Sequence, residues 1–175
     1  MKRLLILGAG GYGRTIADMA SQMGEYDQIS FLDDNSSAEN ILGTCEDVFR
    51  FPDDQTAVYP AFGSGELRMK WLRRLEEAGF HVPALIHPSA YVSPTAVIGT
   101  GTMVLPMVLP MAVVNTGVTV MEGCILNIGT LVDHDCVIEA GCHLAPGAIV
   151  KAENRIPSGM KVESGTVIEN RHYPL

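Results

Sequence analysis

Residues 113–150 read VVNTGVTVMEGCILNIGTLVDHDCVIEAGCHLAPGAIV, and a period of six runs through them. Val108, Val114, Val120, Leu126, Val132, Ile138, Leu144, Val150, Ile156, Val162 and Ile168 stand six apart, and every one is Val, Leu or Ile. These types make up about a quarter of the chain, so chance gives such a run on the order of once in a million trials. Four positions after each aliphatic lies mostly a small residue: Ala112, Val118, Cys124, Thr130, Cys136, Cys142, Ala148. Three positions after it glycine recurs, at Gly117, Gly123, Gly129, Gly141, Gly147, Gly159 and Gly165. Each hexad reads as one short flat strand and one corner, and three hexads close an 18-residue triangular coil. The aliphatic fills the interior, the small residue takes the tighter inward site, and glycine takes the corner backbone. Cys124, Cys136 and Cys142 fall at the small inward site and are assigned to core packing.

Upstream, the hexads of Ile86, Val92, Ile98 and Val104 keep a frame four residues out of phase. Val104-Leu105-Pro106-Met107 is followed at once by Val108-Leu109-Pro110-Met111, a direct repeat, and deleting either copy joins the frames. This reads as a four-residue insertion, expected to bulge near 104–111; its two prolines make it a poor strand. The alternative is that the first copy starts a separate irregular coil.

Residues 1 to about 80 have a different grammar. Residues 2–7 read as a buried strand and 11–23 as a helix with Ile16, Met19, Ala20 and Met23 on one face. Residues 28–32 and 57–62 read as strands. A second helix is expected at 65–78, with Leu67, Trp71, Leu72 and Leu75 facing the core and Gly79 ending it. Strand–helix alternation implies a parallel sheet with right-handed crossovers. The expected fold is a short Rossmann-like α/β domain over 1–83, followed by a parallel β-helix over 84–175.

Of 175 residues, 47% are apolar and 18% charged, which describes a well-packed globular chain. The net charge is −8 and no basic cluster occurs, which argues against nucleic acid or an anionic membrane as partner. Leu4–Leu7 after Lys2-Arg3 is too short for the apolar region of a signal peptide, and no run reaches membrane-spanning length. The four cysteines form no CxxC pair, so a cytoplasmic protein with reduced thiols is expected.

Three places carry chemistry. Gly8-Ala9-Gly10-Gly11-Tyr12-Gly13 follows a strand and opens a helix, where glycines let backbone N–H groups approach a phosphate. Asp33-Asp34, some 20 residues on, is placed to hold a ribose or base. The plainer alternative is a glycine turn that only packs helix on strand. NAD is disfavoured, since some 80 residues leave no room for the second half of a doubly wound sheet. In Asp133-His134-Asp135, a histidine flanked by carboxylates suits a general base, against a plain surface histidine. His143, nine residues on, is half a coil away and points from another side of the prism. His134 and His143 do not have the spacing of a histidine metal site, and no metal is expected.

The motifs LLILGAGGYG at 4–13, FLDDN at 31–35, FGSGELR at 62–68, IHPSAYVSP at 86–94 and ILNIGTLVDHDCVIEAGCHLAPGAIV at 125–150 resemble the NeuD/PglD-like family. These are sialic acid O-acetyltransferases and UDP-amino-sugar N-acetyltransferases with a left-handed β-helix. The resemblance implies direct transfer from acetyl-CoA in a cleft between subunits of a homotrimer, with His134 as base and Asp135 supporting it. It implies a nucleotide-linked sugar or sialic acid held by Gly8, Gly10, Gly11, Tyr12, Gly13, Asp33, Asp34, Gly63 and Ser64. It places His143 by the thioester, and the Ala152 amide, one coil after His134, is placed to bind the oxyanion. The chain ends soon after Ile168, so Lys151, Lys161 or Arg155 is expected to serve the coenzyme phosphates. The competing readings are a non-catalytic nucleotide-sugar-binding scaffold and an NAD-binding protein.

Overall fold

The computed structural model describes residues 1–35, 40–51, 55–105 and 113–175. The chain divides into two compact units, Met1–Pro83 and Ala84–Leu175.

In the first unit, strands β1 (Arg3–Leu7), β2 (Gln28–Leu32) and β3 (Thr56–Pro60) form a parallel sheet in the order β2-β1-β3. β1 takes the centre because Leu4, Leu5, Ile6 and Leu7 are apolar on both faces and fully buried. Helix α1 (Gly11–Met23) joins β1 to β2, buries Ile16, Met19 and Ala20, and ends at Gly24 in the left-handed conformation. Helix α2 (Gly65–Glu77) follows β3 and buries Trp71, Leu72 and Leu75. Leu67 does not join them. It is 39% exposed, and Arg68 is buried instead at 0%. The physical reason is local: the carbonyls of the β3–α2 loop turn inward, and Arg68 Nη1 donates to Phe62 O at 2.7 Å and Gly63 O at 3.3 Å. A 3-10 helix, Cys45–Arg50, opens on a Thr44–Asp47 capping box that the apolar pattern does not reveal.

The second unit is a parallel β-helix of two-residue strands on three faces. The first face stacks Leu85–Ile86, Met103–Val104, Ile125–Leu126, His143–Leu144 and Lys161–Val162. The second stacks Tyr91–Val92, Val113–Val114, Leu131–Val132, Ile149–Val150 and Val167–Ile168. The third stacks Val97–Ile98, Thr119–Val120, Val137–Ile138 and Arg155–Ile156. The second residue of each pair points inward, and from Val114 to Val162 these residues are almost completely buried. Val118, Cys124, Thr130, Cys136, Cys142 and Ala148 fill the small inward sites and are equally buried. Tyr173 packs against the same core.

Strand pairing resolves the frame break. Ile125 lies opposite His143 and Leu85 opposite Met103, each 18 residues apart. Met103 pairs with Ile125, Tyr91 with Val113 and Val97 with Thr119, each 22 residues apart. All three faces carry the same four-residue excess, so one insertion between Val104 and Val113 accounts for the shift and the coil continues across it. The first coils are regular, which excludes a separate irregular start; the helix begins at Leu85–Ile86. The expected bulge lies, from residue 106 onward, outside the described residues.

From Val114 onward, the corner three residues after each inward aliphatic takes positive φ. Gly123, Gly141 and Gly159 line one corner row and Gly129, Gly147 and Gly165 another. The third row runs Gly117, Asp135, Glu153 and Arg171, and the three non-glycine members sit at φ 56, 60 and 56°. A side chain in this conformation costs about 1–2 kcal/mol. Such strain concentrates where a chain needs a particular side chain, and this row borders Asp133-His134-Asp135.

Candidate functional site

The corner between the second and third faces holds His134. Asp133 Oδ1 accepts from the His134 backbone N–H at 2.7 Å and from Asn115 Nδ2 at 3.1 Å. Asp135 Oδ2 meets the ring at Nδ1, 2.9 Å away. Asp133 thus places the backbone and Asp135 orients the imidazole. A Cβ on Gly117 would stand 2.4 Å from Asp135 Oδ1, so glycine there leaves room for the carboxylate. With Nδ1–H given to Asp135, Nε2 keeps its lone pair. The side chain is half exposed, at 49%. The His134 pKa lies above the ordinary histidine value, first through the hydrogen bond the ring donates to Asp135, which outweighs the opposing desolvation, and then through the charges of Asp133, Asp135 and Glu153.

One coil on stands Lys151-Ala152-Glu153. Asn115 and Asp133 each turn a side-chain oxygen back onto the next N–H, that of Thr116 at 2.8 Å and of His134 at 2.7 Å. Lys151, next in that row, carries no acceptor. Among the described residues nothing accepts from the Ala152 N–H. A backbone donor beside the general-base candidate is therefore left open. Lys151 Nζ reaches Glu169 at 2.5 Å, Arg155 Nη1 reaches Glu139 at 2.9 Å, and Lys161 reaches Glu163 at 3.0 Å. The three cations assigned to coenzyme phosphates thus hold surface ion pairs, each worth roughly 0–1 kcal/mol. Pairs this weak yield readily to a phosphate.

His143 lies on the first face between Ile125 and Lys161 and points outward, while Leu144 fills the interior. Asn127 Nδ2 lies 3.3 Å from its Nε2. His134 and His143 occupy different sides of one prism, and a single chain does not bring them together. Beside His134, a groove of about 310 Å³ runs along the second face over Val113, Leu131 and Ile149, rimmed by Asn115, Asp133 and Lys151. The Sγ atoms of Cys124, Cys136 and Cys142 each donate to a carbonyl 15 residues on, at 3.1 Å, as packed interior groups do. Cys45 is no nucleophile: burial, then Asp34 and Asp33, push its thiol up to about 12.

In the first unit the chain order reverses at β1, and ligands of open α/β sheets bind outside the carboxyl ends of the strands at such a point. The loops after β1 and β3 meet there. A Cβ on Gly13 would stand 1.9 Å from the Gly8 carbonyl oxygen, and Gly8 sits at φ 101°. Both glycines are demanded by the fold. Gly10, Gly11 and Gly63 have nothing within 4 Å of an added Cβ and no positive φ. Gly10 caps the start of α1, where glycine is favoured; for Gly11 and Gly63 the folded chain gives no reason for glycine, whereas a ligand lying on the backbone would. Tyr12 Oη lies 3.3 Å from the buried Tyr59 Oη. Ser64 Oγ caps α2 by accepting from Leu67 N at 3.3 Å. Asp33 Oδ2 accepts from Ala9 N at 2.6 Å and Oδ1 from Asn35 N at 2.8 Å; Asp34 Oδ1 accepts from Cys45 N at 2.8 Å. The two aspartates therefore brace the glycine loop and the 3-10 helix, beyond any contact with a nucleoside.

Sequence reasoning missed Asn127, Asn115 and Arg14, whose Nη1 donates to Ala9 O at 3.1 Å and sets a cation beside the glycine loop. The signal for the first two is Asn or Asp directly after a two-residue strand, recurring at 115, 127 and 133. Among the described residues no His, Cys, Asp and Glu group could hold a metal ion, and no helix is long and apolar enough to cross a membrane.

Comparison with known proteins adds the following. Residues 3–75 match the PglD N-terminal domain family. The acetyltransferase domain of PglB from Neisseria gonorrhoeae, solved with acetyl coenzyme A, is 33% identical, with 97% of this chain and 83% of that chain covered and a TM-score of 0.90. PerB from Caulobacter crescentus, solved with CoA and GDP-perosamine, is 25% identical over 97% of this chain and 90% of that one, with a TM-score of 0.78. WeeI from Acinetobacter baumannii shares the fold at 24% identity, covering 100% of this chain and 85% of that one, with a TM-score of 0.84. The α/β unit followed by a left-handed parallel β-helix is the architecture these likenesses share.

Proposed function

Because this chain belongs to the PglD-like family of hexapeptide-repeat acetyltransferases, we propose that it moves the acetyl group of acetyl-CoA to the amine of a nucleotide-linked amino sugar. The observation that carries the reading is one juxtaposition on the β-helix: His134, oriented by Asp135, beside the open N–H of Ala152 one coil on. His134 Nε2 takes the proton as the amine attacks the thioester carbonyl. The Ala152 N–H donates to the oxygen on which charge develops. The intermediate collapses, the carbon–sulfur bond breaks, and the CoA thiolate leaves and is protonated. Lys151 and Arg155 release Glu169 and Glu139 and turn to the coenzyme phosphates. The nucleotide portion is assigned to the switch point of the first unit, over Gly10, Gly11 and Gly63, with Tyr12 and Arg14 beside it.

The reading extends to a homotrimer. His134 and His143 stand on different sides of one prism, so a cleft using both needs a second copy. Sialic acid fits less well: the PerB complex pairs the fold with a nucleotide-linked amino sugar.

The test offers acetyl-CoA with a panel of nucleotide-linked amino sugars and follows release of free CoA thiol. Transfer is expected for wild type and a loss of about 10²–10⁴-fold for His134→Ala. A thermal-shift series with acetyl-CoA, nucleotide sugars and NAD runs beside it. Stabilisation by NAD alone, or equal transfer by His134→Ala and wild type, overturns the proposal.

A further inference from the structure

We propose that Asn127 is a positioning residue that fixes the proton of His143 on Nδ1, making this histidine a hydrogen-bond donor and never a base at Nε2. Three corners of the β-helix use one device, an Asn or Asp oxygen folded back onto the next backbone N–H. At Asn127 it is Oδ1 accepting from the Ile128 N–H at 2.8 Å. A backbone N–H can only donate, so the amide orientation of Asn127 is fixed by the chain itself. Its Nδ2 then faces His143 Nε2 at 3.3 Å and can only donate to it. The ring must present a lone pair at Nε2, and the proton of the neutral imidazole goes to Nδ1. At His134 the neutral ring also carries its proton on Nδ1, but there the chain engages the other nitrogen, with Nδ1 facing the carboxylate of Asp135. Asp135 engages the N–H of His134 and leaves Nε2 to act as base, whereas Asn127 engages Nε2 of His143 and leaves that ring only an N–H to give. The ligand class suited to the second is a carbonyl oxygen that gains charge, as in an acyl thioester. That assignment of the ligand rests on the proposed function; the tautomer does not.

The test separates the two. Ring 15N spectra of the uniformly labelled protein, with His143→Gln identifying the signal, report which nitrogen carries hydrogen. Wild type is expected to show a protonated Nδ1 and a bare Nε2. Asn127→Asp keeps the cap on Ile128, as Asp133 does for His134, but turns an acceptor toward Nε2. The proton is then expected to move to Nε2, and acetyl transfer to fall at least tenfold. A wild-type ring protonated at Nε2, or a ring unchanged by Asn127→Asp, overturns the tautomer. A moved proton with undiminished transfer overturns the donor role. A wild-type protein that transfers no acetyl group while showing the expected spectra sinks the proposed function alone.

Discussion

His134 sits one residue before a backbone corner that most L-residues resist, and its neighbour Asp135 bears that strain at φ 56°. The carboxylate is there because the imidazole needs it, and the need has a sign in pH. Asp135, then Asp133 and Glu153, stabilise the charged ring and hold its pKa above the ordinary 6.5. A base works only when neutral, so kcat/KM is expected to rise with pH through an apparent pKa above 6.5. Asp135→Asn keeps a residue that tolerates the left-handed conformation and removes the charge. Its pH–rate limb is expected to move to lower pH while the plateau falls; a limb that stays in place refutes the assignment of His134 as base. A second prediction concerns Lys151. Asn115 and Asp133 cap the N–H that follows them, and Lys151 does not. Lys151→Asn is expected to cap Ala152, occupy the oxyanion donor and lower kcat about 10²–10³-fold with an unchanged melting temperature. Lys151→Met, which removes the cation without adding a cap, is expected to raise KM for acetyl-CoA and spare kcat. Equal behaviour of the two variants argues against Ala152 as donor.

The glycine loop shows how an element divides its residues between fold and ligand. Gly13 packs against the Gly8 carbonyl oxygen so closely that a Cβ would stand 1.9 Å away from backbone that cannot yield. Gly13→Ala is expected to destabilise the protein by more than about 2 kcal/mol, read as a fall in melting temperature. Gly10→Ala and Gly63→Ala meet open space. Gly63→Ala is expected to melt like wild type and Gly10→Ala, at the N-cap of α1, slightly lower, and both to weaken nucleotide-sugar binding in calorimetry; unchanged affinity would remove them from the site. The loop itself was legible because glycines after an apolar strand announce a turn, and the β-helix was legible because one inward residue in six must be aliphatic. Helix α1 and strand β2 could be bounded to the residue for similar reasons: each begins or ends at glycine or a polar cluster. What escaped depends on bonds across the chain. Arg68 reads as a surface residue by type, and its burial depends on bonds such as those to the inward carbonyls of Phe62 and Gly63. Asn127 and His143 are 16 residues apart, and nothing short of the 18-residue stacking brings one beneath the other. The ion pairs of Lys151 and Arg155 were hidden likewise, since Glu169 and Glu139 become neighbours only once the coils stack.

At the scale of the whole molecule, the outward side of the second face is the feature that needs a partner. Its outward-pointing residues are Tyr91, Val113, Leu131, Ile149 and Val167, each paired with the next in register. Tyr91 is 46% and Val167 43% exposed, and the groove over Val113, Leu131 and Ile149 is open. An apolar ladder of this length on a rigid, strand-built face is an interaction surface. The third face carries Val97, Thr119, Val137 and Arg155 in the same positions, and the first carries Leu85, Met103 and Ile125, already buried, before His143 and Lys161, so the apolar run left accessible is that of the second face. His134 lies at the edge of this ladder and His143 on another face, so the proposed homotrimer would use this ladder to bring the two histidines of different copies into one cleft. Leu131→Arg places a charge at the centre of the ladder on an outward side chain, where it leaves the interior intact. Sedimentation equilibrium is expected to give a trimer for wild type and a monomer for Leu131→Arg, with unchanged circular dichroism and loss of acetyl transfer. A wild-type monomer, or a monomeric variant that retains full activity, contradicts a shared active site. Mixing Leu131→Arg with a His134→Ala chain adds a second reading: the arginine blocks docking in every pairing that uses its ladder, so activity is expected to stay low.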